Sequence, residues 1–306
     1  MKSPTAAIDC GTNTIKLLVT GASGETLARE ARMVRLGEGV DATGRLSPDA
    51  LQRTFAAIDE YALLVQHHEV RRIRFCATSA TRDAENAEEF AAGVAARLGV
   101  RPEVLTGEEE AALAFAGAVE HLGLDRHPDG DVLVVDIGGG STEVIVGTAG
   151  RSTPRAACSM DIGSVRLHER HLRLDPPGRR EIEAAVADIE RALDDCPFDL
   201  AGASTVIGVA GTITTVAAGV LGLASYDREA IDRQVLAAAD VREHVTRLVA
   251  MTVAERRALG WMHPGRADVI GAGALILSGV LARCQASSLV VSECDILDGI
   301  AASLVA

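Results

Sequence analysis

Aromatic side chains are scarce in this chain: five Phe, two Tyr and one Trp make up 3% of its 306 residues. A core with so few rings has to be filled by Ala, Val, Leu and Ile, which the 48% hydrophobic content supplies. No apolar run approaches the ~20 residues that a membrane-crossing helix needs, so no membrane partner is expected. The apolar stretch at the N-terminus is short and interrupted by Asp9, which is not the pattern of a secretory leader. Cysteine pairs are missing as well. The six cysteines, at positions 10, 76, 158, 196, 284 and 294, include no CxxC pair. Scattered thiols argue against a zinc or disulfide framework and suit a reducing compartment, so the chain is expected in the cytoplasm. Neither a Walker P-loop nor a GxGxxG fingerprint is present, and ordinary P-loop and Rossmann readings fail.

Lysine is nearly absent too. It occurs only at Lys2 and Lys16, which leaves 28 of the 30 cations as arginine. Arginine forks suit phosphate, although a GC-rich genome accounts for the bias equally well. The formal net charge of -13 speaks against broad nucleic-acid binding, which wants a basic face. It leaves a polyanionic ligand open, because local clusters rather than the total decide what docks.

What is present is a repeat. Asp9-Cys-Gly-Thr-Asn-Thr-Ile-Lys-Leu-Leu-Val19 can be laid over Asp136-Ile-Gly-Gly-Gly-Ser-Thr-Glu-Val-Ile-Val146. Both read Asp-x-Gly-x-x-Ser/Thr-x-x and then three aliphatic residues, and both follow an aliphatic strand, 6–8 and 132–135. Each is therefore strand, tight polar turn, strand. A third strand is expected in each half, over 26–34 and 152–159. The pattern then alternates. The first half predicts helices over 48–66, 84–98 and 107–122 and strands over 71–77 and 101–105. The second predicts helices over 163–171, 178–193, 212–221, 241–249, 253–259, 267–284 and 295 to the end, with strands over 205–209 and 287–291. Three antiparallel strands followed by βαβ elements, twice, give an α/β protein of two facing domains. The polar stretch 125–130 is the natural boundary between domains 1–124 and 125–306.

The turns of both hairpins suit phosphate. Gly138, Gly139 and Gly140 lack side chains, so successive backbone N–H groups can converge on one anion, and Ser141 and Thr142 add hydroxyls. Gly11, Thr12, Asn13 and Thr14 can do the same in the first hairpin. A tight turn alone would need only one or two of these glycines. Asp136 and Glu143 flank the second turn, where carboxylates beside a phosphate cradle offer the oxygen ligands of a hard cation such as Mg2+. Their other reading is a carboxylate bonded to loop amides and an exposed strand acid; Asp9 is a further candidate. Thr106 with Glu109 spells a capping box, and acids in a first helical turn offset the helix dipole. Of the histidines, His168 with His171 is expected on a solvated helix face and His67-His68 at a helix end.

The whole chain resembles the exopolyphosphatase / guanosine pentaphosphate phosphatase family of the actin, hexokinase and Hsp70 ATPase superfamily. The resemblance is carried by both hairpins and by Arg35-Leu-Gly-Glu-Gly-Val-Asp-Ala-Thr-Gly-Arg-Leu46, Ala77-Thr-Ser-Ala-Thr-Arg-Asp83 and Thr106-Gly-Glu-Glu-Glu-Ala111. Ile162-Gly-Ser164 and Val209-Ala-Gly-Thr-Ile213 add to it. Long members carry further C-terminal domains, and the resemblance is to the short two-domain form. The resemblance implies two ribonuclease H-like (actin-like ATPase) domains with the active site in the cleft between them, the last helix able to pack back on the first domain. It also implies a homodimer. It assigns Glu110 as the catalytic glutamate that orients and deprotonates the attacking water, and metal to Asp136 and Glu143. It makes Arg82 a substrate-contacting arginine, with Lys16, Arg35 and Arg166 as looser members of a basic lining. Gly211 and Thr212 match the loop that contacts nucleotide or distal phosphate. The expected reaction is release of terminal orthophosphate from inorganic polyphosphate with Mg2+ or another divalent cation. Guanosine pentaphosphate is the alternative substrate; a kinase or a non-catalytic phosphate or nucleotide sensor are the remaining readings.

Overall fold

The computed structural model describes residues 3–123, 131–148, 151, 153–203 and 205–305. Two mixed sheets organise them. In the first half β1 (Thr5–Cys10), β2 (Thr14–Thr20) and β3 (Thr26–Met33) run antiparallel. β4 (Arg72–Ala77) and β5 (Glu103–Val104) join in parallel, giving the order β3-β2-β1-β4-β5. In the second half β6 (Asp131–Ile137), β7 (Thr142–Thr148) and β8 (Ala156–Met160) repeat the antiparallel trio, and β9 (Thr205–Val209) joins β6 in parallel. Of the last two strands, β10 (Val235–Ala237) and β11 (Ser288–Val291), β11 adds in parallel to β9 and β10 closes the edge antiparallel. The duplicated ribonuclease H-like arrangement is what the chain forms. β10 was not expected, because three residues are too few for a periodic signal to register. The expected boundary at 125–130 lies outside the described residues, as does position 152 of the strand expected over 152–159.

The helices are α1 (Val40–Thr43), α2 (Pro48–His67), α3 (Ser79–Arg82), α4 (Ala87–Leu98) and α5 (Gly107–Leu122) in the first half. Then come α6 (Ser164–His171), α7 (Arg179–Asp194), α8 (Ala210–Val220), α9 (Arg228–Ile231), α10 (Ala238–Ala250), α11 (Val253–Arg257), α12 (Ile270–Arg283) and α13 (Ile296–Val305). The helix expected over 84–98 begins later, at Ala87, and is preceded by the separate turn α3. The side chain of Asn86 explains the break. It accepts from the Leu46 N–H at 2.8 Å and donates to the Leu46 carbonyl at 3.1 Å, so it serves a neighbouring loop instead of capping an extended helix. The strand expected over 101–105 shortens to two residues.

Alternate side chains of the central strands feed different cores. Ala6, Ile8 and Cys10 of β1 pack with Leu51, Ile58 and Tyr61 of α2 and Phe90 of α4, while Ala7 faces the opposite way. Leu133, Val135 and Ile137 of β6 pack with α7, α8 and α12, while Val132 and Val134 face the same middle layer as Ala7. That middle layer is α5 and α13, and the two helices are exchanged. α5, from the first half of the sequence, rests on β6, β7, β8 and β9; α13, from the chain's end, rests on β1, β2 and β4. They meet at two glycines: a Cβ on Gly117 would stand 2.3 Å from the Asp295 carbonyl oxygen, and one on Gly299 2.0 Å from that of Leu113. Any side chain there would push the pair apart, and with it the two sheets. Among the described residues no helix is long and apolar enough to cross a membrane.

Candidate active site

The two repeated hairpins close with the same bond. Gly11 N–H donates to the Thr14 carbonyl at 3.0 Å, and Gly138 N–H donates to the Ser141 carbonyl at 3.0 Å. The turns face each other across the gap between the sheets. A Cβ on Gly140 would lie 2.6 Å from both Thr12 Oγ1 and Ser79 Oγ, which themselves share a 2.9 Å hydrogen bond. Gly140 thus serves the approach of one hairpin to the other. Its carbonyl is taken by Arg166 Nε at 2.7 Å.

α5 brings the carboxylate. Thr106 caps it and Glu109 completes the capping box, the Thr106 N–H donating to Glu109 Oε2 at 2.8 Å. With Glu108 and Glu109 turned outward, Glu110 falls on the inner face of the first turn and is only 6% exposed. Arg82 holds it: Nη1 donates to Glu110 Oε1 at 2.6 Å and to the Leu105 carbonyl at 2.8 Å. Because α5 lies on the second sheet, Glu110 reaches the second hairpin although it belongs to the first half of the chain.

One narrow cleft of about 90 Å³ collects Gly11, Thr12, Asn13, Thr14 and Lys16 from the first hairpin, and Asp136, Gly138, Gly139, Ser141 and Glu143 from the second. Glu110, Gly211 and Thr212 complete that part of the lining. Three of the residues singled out by sequence do not line it. Gly140 stands behind the turn. Thr142 is wholly buried, its hydroxyl donating to the Ile162 carbonyl at 2.6 Å. Arg82 is spent on Glu110. The looser candidates Arg35 and Arg166 are tied up elsewhere. Arg35 Nη2 meets both carboxylate oxygens of Asp268 at 2.8 and 2.7 Å, and Arg166 pairs with Asp41 and Asp83. His171 is less solvated than expected, with Nε2 3.0 Å from Asp188.

The Ppx/GppA phosphatase family model matches residues 18–306. This chain belongs to the Ppx/GppA phosphatase family. It is 46% identical to Exopolyphosphatase 2 of Mycobacterium tuberculosis, covering 98% of each chain. Among solved structures it is similar to an exopolyphosphatase-like protein, at 43% identity and a TM-score of 0.94 over 98% of each chain. It is also similar to the Aquifex aeolicus Ppx/GppA family member, at 30% identity and a TM-score of 0.81 over 99% of this chain and 97% of that one.

In this Ppx/GppA member the cleft holds more carboxylates than cations. Asp9, Glu110, Asp136 and Glu143 are all under 9% exposed. Burial, then the neighbouring Glu143 charge, push Glu110 up to about 9, with Arg82 working against them. Burial and the Glu143 charge likewise drive Asp136 well above the usual carboxylate range. Burial raises Glu143 too, opposed by the hydroxyls of Ser159, 2.7 Å from Oε1, and Ser141. Burial raises Asp9, although Lys16 stands 3.3 Å away and pulls it down. The buried Asn13 Oδ1 has no hydrogen-bond partner among the described residues, an orphaned acceptor at a ligand-sized opening.

Sequence reasoning did not single out several lining residues. Thr78, Ser79 and Ser164 lie within segments that carry the resemblance, but no contact is assigned to them there. Arg266 and Ile296 gave no local signal at all. Ala210 lies beside Gly211 with φ +67°, a left-handed conformation that a non-glycine adopts at a cost of order 1 kcal/mol or more.

Proposed function

We propose that this chain is an exopolyphosphatase that releases terminal orthophosphate from inorganic polyphosphate with the help of a divalent cation. The observation that carries the proposal is Glu110: a buried carboxyl clamped by one arginine and opening on a cleft walled by the two glycine-bearing turns. In this reading the turns around Gly11–Thr14 and Gly138–Ser141 hold phosphoryl oxygens, as backbone nests do. Glu110 accepts a proton from the attacking water as the new O–P bond forms. The anhydride P–O bond breaks, and its electron pair leaves with the shortened chain. Arg82 is a positioning residue for Glu110 and does not itself touch the phosphate.

The residues fit Mg2+. Asp136 and Glu143 stand directly opposite in the hairpin register, both buried, and neither forms an ion pair among the described residues. No three Asp, Glu, His or Cys groups among the described residues are gathered to cage an ion by themselves, which agrees with a cation that retains several waters and takes only one or two carboxylates. When bound, the cation supplies positive charge beside the transferred group. Neutralising Glu143 also lowers the proton affinity of Glu110, which otherwise stays protonated near neutral pH. The same proposal takes 1–124 and 125–306 as its two domains, a cytoplasmic location and a homodimer.

A second reading, hydrolysis of guanosine pentaphosphate, has one observation in its favour: a chamber of about 620 Å³ opens beside Gly211, with Met33, Trp261 and Met262 in its wall. The test is phosphate release with Mg2+ from size-defined polyphosphates, guanosine pentaphosphate and ATP in parallel. Polyphosphate is expected to be hydrolysed best. Faster release from guanosine pentaphosphate would move the assignment to the second reading, and no release from any polyphosphate would overturn the first. Phosphate transfer to an added acceptor would mark a kinase, and tight binding without release a sensor.

A further inference from the structure

The cleft and the chamber share Thr14, Lys16, Ala210, Gly211 and Arg266, so a phosphate chain longer than the cleft must pass this ring. A polyphosphate carries about one negative charge per phosphoryl unit, and every further unit needs a cation or water to meet it. Lys16 is the obvious cation, but it is already engaged. Its ammonium lies 3.3 Å from Asp9 on the cleft side and 2.7 Å from Asp295 on the chamber side. Asp295 is 7% exposed and fixed, its other oxygen accepting the Leu297 N–H at 3.0 Å.

Beyond the ring the chamber does not resume a basic track. Arg29 is held by both oxygens of Asp298 at 2.7 Å, and Arg228 by Glu293 at 3.2 Å. Glu30, paired with Arg32 at 2.7 Å, adds a further carboxylate, and Met33, Trp261 and Leu297 an apolar wall. Arg266 is the exception: among the described residues it forms no ion pair, only a 2.7 Å hydrogen bond to Thr215 Oγ1. One free guanidinium at the ring can meet one phosphoryl group that has left the cleft. The next unit faces Asp295.

We infer that Asp295 is a specificity residue for phosphate-chain length: by binding Lys16 on the chamber side it sets a fixed negative charge where a long polymer would have to continue, so the site takes chains of a few units. This rests on the proposed hydrolysis of polyphosphate. It commits Lys16 to holding the boundary of the track rather than extending it. The discrimination is electrostatic and therefore weakens with salt.

The experiment measures kcat and KM for tripolyphosphate and for a polymer of on the order of a hundred units, in wild type, Asp295→Asn and Glu30→Gln, at low and high ionic strength. The Asp295→Asn change keeps a side-chain oxygen for the Leu297 amide while removing the charge. In that variant the polymer-to-tripolyphosphate ratio of kcat/KM is expected to rise about tenfold, mainly through the polymer's KM, as removal of one partly screened charge should give. Salt should narrow the wild-type preference and leave that of Asp295→Asn nearly unchanged. An unchanged ratio in a variant that melts like wild type overturns the inference, as does a wild type that prefers polymer. If Asp295→Asn does not fold, Glu30→Gln, on the half-buried face of β3, carries the test: a rise of about twofold supports the charge argument, and no change overturns it. A wild type that hydrolyses neither substrate overturns the proposed function itself.

Discussion

The two hairpins are the same device with one charge reversed. Strand register sets Asp9 opposite Lys16 in the first and Asp136 opposite Glu143 in the second. Side chains directly opposed in an antiparallel pair share a face and lie within about 5 Å at Cβ. The first pair can therefore neutralise itself, and does, with Lys16 3.3 Å from Asp9 and Asp295 as a second partner. The second pair cannot. Burial raises the proton affinity of both carboxylates, the Glu143 charge raises that of Asp136 further, and the pair leaves a demand for positive charge that no side chain among the described residues meets with an ion pair. A duplicated turn thus yields one self-contained wall and one wall that calls for a cation.

The largest expected effect lies outside both hairpins. Glu110→Gln should lower kcat by about a thousandfold, within the range of a lost general base, without changing the melting temperature by more than a few degrees. Wild-type steady-state release of phosphate by that variant would remove Glu110 from the chemistry.

The comparison itself is sharpened by one change in each hairpin. Glu143→Gln should cost about a hundredfold in activity and weaken Mg2+ binding, read by titration calorimetry, because the second hairpin loses half of its charge. Lys16→Met should instead cost about 3 kcal/mol of stability, read by denaturant unfolding, because it strands Asp9 and Asp295 without their cation. If Lys16→Met abolished Mg2+ binding while Glu143→Gln left it intact, the assignment of the two walls would be reversed.

A smaller effect concerns pH. Glu110 has its folded pKa raised to about 9 from an ordinary 4.5. The folded state therefore binds its proton more tightly than the unfolded chain does. The resulting contribution to stability is complete below the unfolded value and is lost as pH rises through about 9. In chelator, thermal melts should decline across that window. With Mg2+ the decline should flatten in part, because neutralising Glu143 removes the second cause of the raised Glu110 value while burial remains. The same slope in both conditions would remove the cation from the neighbourhood of Glu143.

The smallest effect is expected behind the second turn. Thr142→Val removes the bond to the Ile162 carbonyl and should cost about 1 kcal/mol, with kcat within twofold of wild type. A loss of activity as large as that of Glu143→Gln would bring Thr142 into the cleft after all.

Much of the fold could be read from local pattern. α2 follows from Ser47 as cap, Pro48 at the first helical position and an apolar stripe through Leu51, Ile58 and Tyr61. α5 follows from its capping box, which also explains why Glu109 is unavailable and Glu110 is not. The hairpins were legible because turn chemistry and strand period are properties of a dozen consecutive residues. Thr142 and Arg82 show where that reading stops. Each stands in a segment that suggests phosphate, and each is claimed by a partner tens of residues away. Asp295 and Arg266 stop it from the other side: nothing in their own neighbourhoods announces a site, and the fold delivers them there.

The sequence by itself determined the two repeated turns, their polar atoms and the helix that carries Glu110, since these depend on contacts within a few residues. Only the tertiary structure decided which charges are spent. The exchange of α5 and α13 between the sheets sets Glu110 against the second hairpin and Asp295 against Lys16. Ion pairing falls off within a few ångströms, so it is fixed by that approach and not by position along the chain.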